Sequence, residues 1–254
     1  MTSLSINSLH LTQEILAGAD LAADLLEAMH QRDLVFTAGD VLVVAQKIIS
    51  KAEGLTVDLR DVTPSPRALE LAEITRKDAR LVEVVLAEST DVLRAVPNVL
   101  IVRHHSGCVM ANAGIDRSNV PNAEGEERVL LLPRDADFSA QQLRAAIAEK
   151  TGVQIGVIIA DSFGRPWRIG VTHVALGAAG MPALIDRRGD TDRHGRVLEV
   201  TQIAVADAVA SAAGLVMGEA AESTPAALVR GYVTNAAHCA ARTLVRPLDE
   251  DLFR

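Results

Sequence analysis

Two hydrophobic rhythms run along the chain. Residues 20–29 space their apolar side chains three or four positions apart, which predicts an amphipathic helix. After Gly39-Asp40, the β-branched run Val41-Leu-Val-Val-Ala-Gln-Lys-Ile-Ile49 predicts a buried strand. Its end turns polar, with Gln46, Lys47, Ser50, Lys51 and Glu53. Weak alternation predicts an opening strand over 5–11. The helical period returns over 66–87 (one helix or two), over 140–150 ahead of Thr151-Gly152, and over 198–216. Strands are expected at 99–103, 129–133, 153–160, 171–176, 182–185 and 226–230. The stretches 111–119, 120–127, 187–196 and 217–225 gather Gly, Asn, Asp, Ser and Pro and read as loops. No repeat, low-complexity tract or linker divides the chain, so one domain over 1–254 is expected.

Composition narrows the class. With 254 residues and 49% hydrophobic content, the chain can bury a sizeable core. A net charge of −8 argues against a nucleic-acid or membrane-surface partner, though local arginines or metal ions could still hold a small anion. Cys108 and Cys239 are the only cysteines and lack CxxC spacing, which suits a reducing compartment. The N-terminus has no signal-peptide pattern and no stretch reaches membrane-spanning length. A cytoplasmic protein is expected.

The candidate chemistry centres on Asp161-Ser-Phe-Gly-Arg-Pro-Trp-Arg-Ile-Gly170, where the strand over 153–160 should leave the core. Asp161 and Ser162 meet Arg165, Arg168 and the only tryptophan, Trp167, which is expected to pack. A second loop crowds the oxygens of Asn112, Asp116, Ser118 and Asn119, either as ligands for a hard cation or as an Asx-turn. A third carries Glu219. Three such carboxylates would repel on meeting unless a divalent cation sat between them. Lys47, Lys51, Arg165 and Arg168 make a metal-bound polyphosphate the natural guest, although lysines at a strand end are also often simply solvated. There is no Walker loop and no G-x-G-x-x-G fingerprint, so a nucleotide would need another architecture. His104 and His105 are neighbours on a strand and point to opposite faces, so a hydrogen-bonded or exposed pair is expected rather than a shared metal.

Four separated segments, 39–54, 111–119, 161–170 and Gly214-Leu-Val-Met-Gly-Glu-Ala220, with the tail Asp251-Leu-Phe-Arg254, resemble the coenzyme F420-0:L-glutamate ligase family. The resemblance implies GTP-dependent joining of L-glutamate to the lactyl phosphodiester side chain of F420-0, with γ-linkage for later additions. It implies Mg²⁺ or Mn²⁺, two per active site, with K⁺ in some members. It implies an α+β fold of mixed, largely antiparallel sheets and packed helices in an intertwined homodimer, distinct from Walker, Rossmann and ATP-grasp folds. By motif position Asp116 and Asp161 would hold one metal, with Ser162 and Glu219 on the second. Gln46, Lys47, Lys51, Asn119 and the loop Met217, Gly218, Glu219, Ala220, Ala221, Glu222, Ser223 and Thr224 would line the GTP site. Ser162 stands where relatives often have Thr and keeps the hydroxyl; some relatives carry Gln at the position of Glu219. No fused C-terminal nitroreductase-like domain is expected.

Amide synthesis from a carboxylate needs activation, and phosphoryl transfer from GTP would give an acyl phosphate open to the glutamate amine. Arg165 and Arg168 are the expected catalytic cations. A metal-dependent phosphohydrolase and a non-catalytic nucleotide-binding scaffold are the alternatives. GTP loss without either co-substrate would mark the first, and no turnover the second.

Overall fold

A computed structural model describes residues 3–118, 120 and 127–251. In chain order its elements are β1 (Ser5–Leu9), α1 (Leu21–His30), β2 (Val41–Ala45), α2 (Gln46–Ala52), β3 (Thr56–Asp58), α3 (Pro66–Thr75), α4 (Ala79–Ala87), β4 (Ser89–Val96), β5 (Val99–His104) and β6 (Val109–Ala111). They continue with β7 (Arg128–Leu130), α5 (Ala136–Thr151), β8 (Gly156–Arg165), β9 (Arg168–Ala179), β10 (Leu184–Asp186), β11 (Gln202–Ala204), α6 (Val205–Met217) and β12 (Ala226–Arg230).

The central sheet has the order β1-β12-β2-β8-β9. Only β2–β8 is parallel among its pairings. Period-two alternation explains how the sheet is covered. Leu42, Val44, Val157, Ile159 and Leu228 pack with α1 and α5 on one face. Val41, Val43, Ile158, Ala160 and Val229 meet α6 on the other. Small alanines on α6 let that helix lie close, and Gly214 makes room for His173, whose ring would stand 2.8 Å from a Cβ there. A third cluster joins α3 and α4 to the antiparallel sheet β4-β5-β6. The fold is thus mixed α+β with mostly antiparallel sheets, as expected.

Asp20 and Asp135 cap α1 and α5, accepting from the Ala23 and Phe138 amides, and Gly152 ends α5 in the left-handed region. At Gly177, a Cβ would stand 2.1 Å from the Ala136 carbonyl oxygen, so β9 can seat the start of α5 only with glycine there.

The structure corrects several boundaries. The run 41–49 is a strand only to Ala45; α2 takes over where the parallel pairing with β8 ends at Ala45↔Ala160. Asp161 and Ser162 lie within β8 rather than in a turn, because β9 continues the antiparallel register to Arg165↔Arg168. The helix expected over 198–216 begins only at Val205, since Gln202–Ala204 pairs with β10. Trp167 does not pack within the chain: it caps the β8–β9 hairpin at φ 63° and is 90% exposed. His104 and His105 are hydrogen-bonded, to Ser106 and the Ala87 carbonyl.

Candidate active site

Where β2 hands over to α2, buried Gln46 and half-exposed Lys47 leave the sheet together. A helix places residues four apart on one face, so Gln46 aligns with Ser50 and Lys47 with Lys51. Ser50 Oγ donates to Gln46 Oε1 at 3.0 Å and fixes the amide. Gln46 Nε2 then donates to Asp116 Oδ2 at 2.8 Å, and Lys47 Nζ lies 3.3 Å from Asp116 Oδ1 and 3.2 Å from Ser118 Oγ. Asp116 is held from behind by paired backbone hydrogen bonds with Leu130. Lys51, largely buried, pairs with Glu14.

Asp161 and Ser162 come from the middle of β8, and the Ser162 amide donates to Asp161 Oδ1 at 2.9 Å. Burial, followed by repulsion from Asp116, pushes the Asp161 carboxyl up to about 7; Glu219 adds to the repulsion. Burial also raises Asp116, against the pull of Lys47 and Gln46. Glu219 follows the Gly218 cap of α6, and His173 Nε2 meets its Oε1 at 2.9 Å. His173 sits opposite Ser162 in the register, and its buried Nδ1 has no hydrogen-bond partner among the described residues.

A cleft of about 320 Å³ gathers Gln46, Lys47, Lys51, Asp161, Ser162, His173 and the loop 217–224. Thr224 Oγ1 donates to the Met217 carbonyl and Glu222 Oε2 accepts from the Ala220 amide at 2.8 Å, closing that loop on itself. Of the expected site residues, Met217, Gly218, Glu219, Ala220, Ala221, Glu222, Ser223 and Thr224 all line the cleft. Asp116 stands behind Gln46 and Lys47. Arg165 and Arg168 lie at the hairpin end, outside the cleft lining of this chain. Asn119 lies outside the described residues.

Sequence reasoning missed the segment with Leu11, Gln13, Glu14 and Ile15, which forms another wall and is tied to the loop by Leu11 N–H to the Ser223 carbonyl at 3.1 Å. It also missed His173, for which an ionisable residue inside the alternating run 171–176 was the available signal. Among the described residues, no three His, Cys, Asp or Glu side chains already stand as a cation cage. The donor set of Asp116, Asp161, the Ser162 hydroxyl and Glu219 is nonetheless all hard oxygen, and the mutual repulsion of its acids is what a divalent cation would relieve.

Fold and cleft together define an α+β protein with a small-molecule cleft walled by acids and lysines. The F420-0:Gamma-glutamyl ligase family model matches residues 11–231, and the chain belongs to that family. It is 43% identical over 258 residues to the coenzyme F420:L-glutamate ligase of Methanopyrus kandleri, covering 100% of this chain and 99% of the relative. Proteins of the same name from Methanothermobacter thermautotrophicus and Archaeoglobus fulgidus are 42% and 44% identical, covering 94% and 91% of this chain and 94% and 90% of theirs. The chain is accordingly an enzyme of the ligase class.

Proposed function

We propose that this chain joins L-glutamate to coenzyme F420-0 at the expense of GTP, through an acyl phosphate. The observation that carries the reading is the meeting, in one cleft, of five segments far apart in sequence: 11–15, 45–51, 160–162, His173 and 217–225. Lysines, acids and a hydroxyl there suit a polyphosphate and hard cations together. Gln46, Lys47, Lys51, Asn119 and the loop 217–224 would hold GTP. Asp116, Asp161, Ser162 and Glu219 would hold Mg²⁺ or Mn²⁺, two per site, with K⁺ as a further candidate. When bound, the cations would neutralise phosphate charge as it develops.

Lys47 keeps its Nζ beside Asp116 and Ser118, and Lys51 keeps its own beside Glu14, so both ammonium groups are positioned before substrates arrive. The acceptor carboxylate would take the γ-phosphoryl group, and the glutamate amine would then displace phosphate. The enzyme would act as a homodimer. The hairpin end supports this reading, because Trp167 and Ile169 are exposed there and none of the described residues covers them. Arg165 and Arg168 would then supply positive charge across the subunit interface.

The test is incubation of the purified protein with GTP, Mg²⁺, L-glutamate and F420-0. The expected result is GDP release dependent on both co-substrates and a product heavier by one glutamyl unit. GDP release without either would support the phosphohydrolase instead.

A further inference from the structure

We infer that His173 is a positioning residue, whose Nε2–H holds the Glu219 carboxylate on the Ser162 side of the cleft, ready for a divalent cation. The inference rests on the proposed metal role of Ser162 and Glu219, and it adds the group that keeps Glu219 in place.

Glu219 needs such a hold. It follows Gly218, which leaves α6 at φ 77°, and it belongs to a loop without strand or helix of its own. Its side chain is 50% exposed, and His173 Nε2, 2.9 Å from Oε1, is its sole side-chain hydrogen-bond partner among the described residues. An unheld glutamate gives up rotamer freedom on binding a cation, and a fixed donor removes part of that loss beforehand.

His173 is fixed where Glu219 is not. It faces Ser162 across the β8–β9 register, and such cross-strand partners share a face with Cβ atoms about 5 Å apart. Asp207, Ser211 and Gly214 lie four and three positions apart, one stripe of α6 against this part of β9. Asp207 accepts from the Ala175 amide at 2.9 Å, and the Ser211 hydroxyl donates to the His173 carbonyl at 2.7 Å. Gly214 leaves space for the imidazole, since a Cβ there would stand 2.8 Å from Cγ and Cδ2 and 3.2 Å from Nδ1. The ring is clamped between strand and helix, with its side chain 8% exposed.

The same packing selects the tautomer. An ionised carboxylate only accepts, so Nε2 carries the proton, and in the neutral ring Nδ1 is then bare. Nδ1 is buried without a hydrogen-bond partner among the described residues, on the side facing Gly214. Neither nitrogen offers a lone pair to a cation in the cleft. His173 therefore acts through Glu219.

The test measures Mn²⁺ binding with GDP present, by electron paramagnetic resonance, with circular dichroism as the check on folding. His173→Phe keeps a ring but no donor, and His173→Gln restores an N–H at about the reach of Nε2. The Mn²⁺ that depends on Glu219 should weaken by about tenfold in His173→Phe and recover in His173→Gln. Gly214→Ala suits the helix but pushes the imidazole aside, so it should weaken the same Mn²⁺ and add nothing to the loss in His173→Phe. The losses in His173→Phe and Glu219→Ala should likewise fail to add. If His173→Phe does not fold, Gly214→Ala carries the test. Unchanged Mn²⁺ affinity in His173→Phe and Gly214→Ala overturns the inference, as does a loss that His173→Gln leaves in place. A nitrogen hyperfine coupling to Mn²⁺ that disappears in His173→Phe also overturns it, by making the ring a ligand. Wild-type Mn²⁺ affinity in Glu219→Ala removes the metal role of Glu219 itself, a failure distinct from that of His173 alone.

Discussion

Asp161 carries the most demanding environment of any residue in the cleft. Its carboxyl is pushed to about 7 by burial and by Asp116, so near neutrality only part of the metal-free population is ionised. Asp161→Asn and Asp116→Asn should each cut ligation at least about a hundredfold while circular dichroism stays native. An active, metal-dependent Asp161→Asn enzyme would remove Asp161 from the ligand set. His104 makes a separate prediction. The Ser106 amide donates to its Nδ1 at 3.0 Å, so the folded ring is neutral there. Burial, then the neighbouring His105, lowers its pKa from 6.5 to about 4. The stability this group contributes is complete above pH 6.5 and is lost as pH falls from there toward 4, because the unfolded chain takes up the proton first. Urea midpoints measured across that window should fall more steeply for wild type than for His104→Asn. Asp161, Glu219, Lys47 and Lys51 were legible in the sequence because each stands at or near the end of an apolar run. His173 and Glu14 were not, since only the β8–β9 register and the fold of the 11–15 segment bring them to the cleft.

Among the elements, the helices within 20–29 and 66–87 were readable because each buries one stripe, and the strand 226–230 because both of its faces are buried. The handover from β2 to α2 was obscured because Ile48 and Ile49 continue the apolar count of the strand while facing a helical core. The polar pairs at Gln46/Ser50 and Lys47/Lys51, spaced four apart, were the helical signal. The three-residue strands β3, β6 and β11 carry too few apolar positions to announce themselves, and β4 interrupts its apolar positions with Asp91 and Arg94; pairing with β7, β5 and β10 makes them strands. One element contact is strict. Gly177→Ala would drive a methyl into the Ala136 carbonyl, and should destabilise the protein by about 3 kcal/mol in urea unfolding, with α5 displaced from β9. Gly180→Ala is similarly crowded, by Arg144 and the Ile155 carbonyl, whereas the open site at Gly189 offers a control with strain but no clash.

For the whole molecule, the proposed dimer can be tested at the hairpin end. Trp167→Ser with Ile169→Ser removes the exposed apolar tip without touching the cleft lining. If that tip docks on a second subunit, the double variant should sediment as a monomer and lose turnover in step; a native dimer with full activity would assign the tip no such role. Among the described residues no helix is long and apolar enough to cross a membrane.

The strand order has a consequence for how the protein is made. β2 lies between β12 and β8, and β1 reaches the sheet only through β12. The middle of the sheet thus waits for residues 226–230, which leave the ribosome after every other strand of that sheet. Such non-local pairing is slow to form and leaves apolar strand edges uncovered meanwhile. A nascent chain arrested near residue 220 should therefore remain protease-sensitive and fail to retain Mn²⁺–GDP. Release beyond residue 230 should confer both properties together, making the last strand the step that commits the chain to its fold.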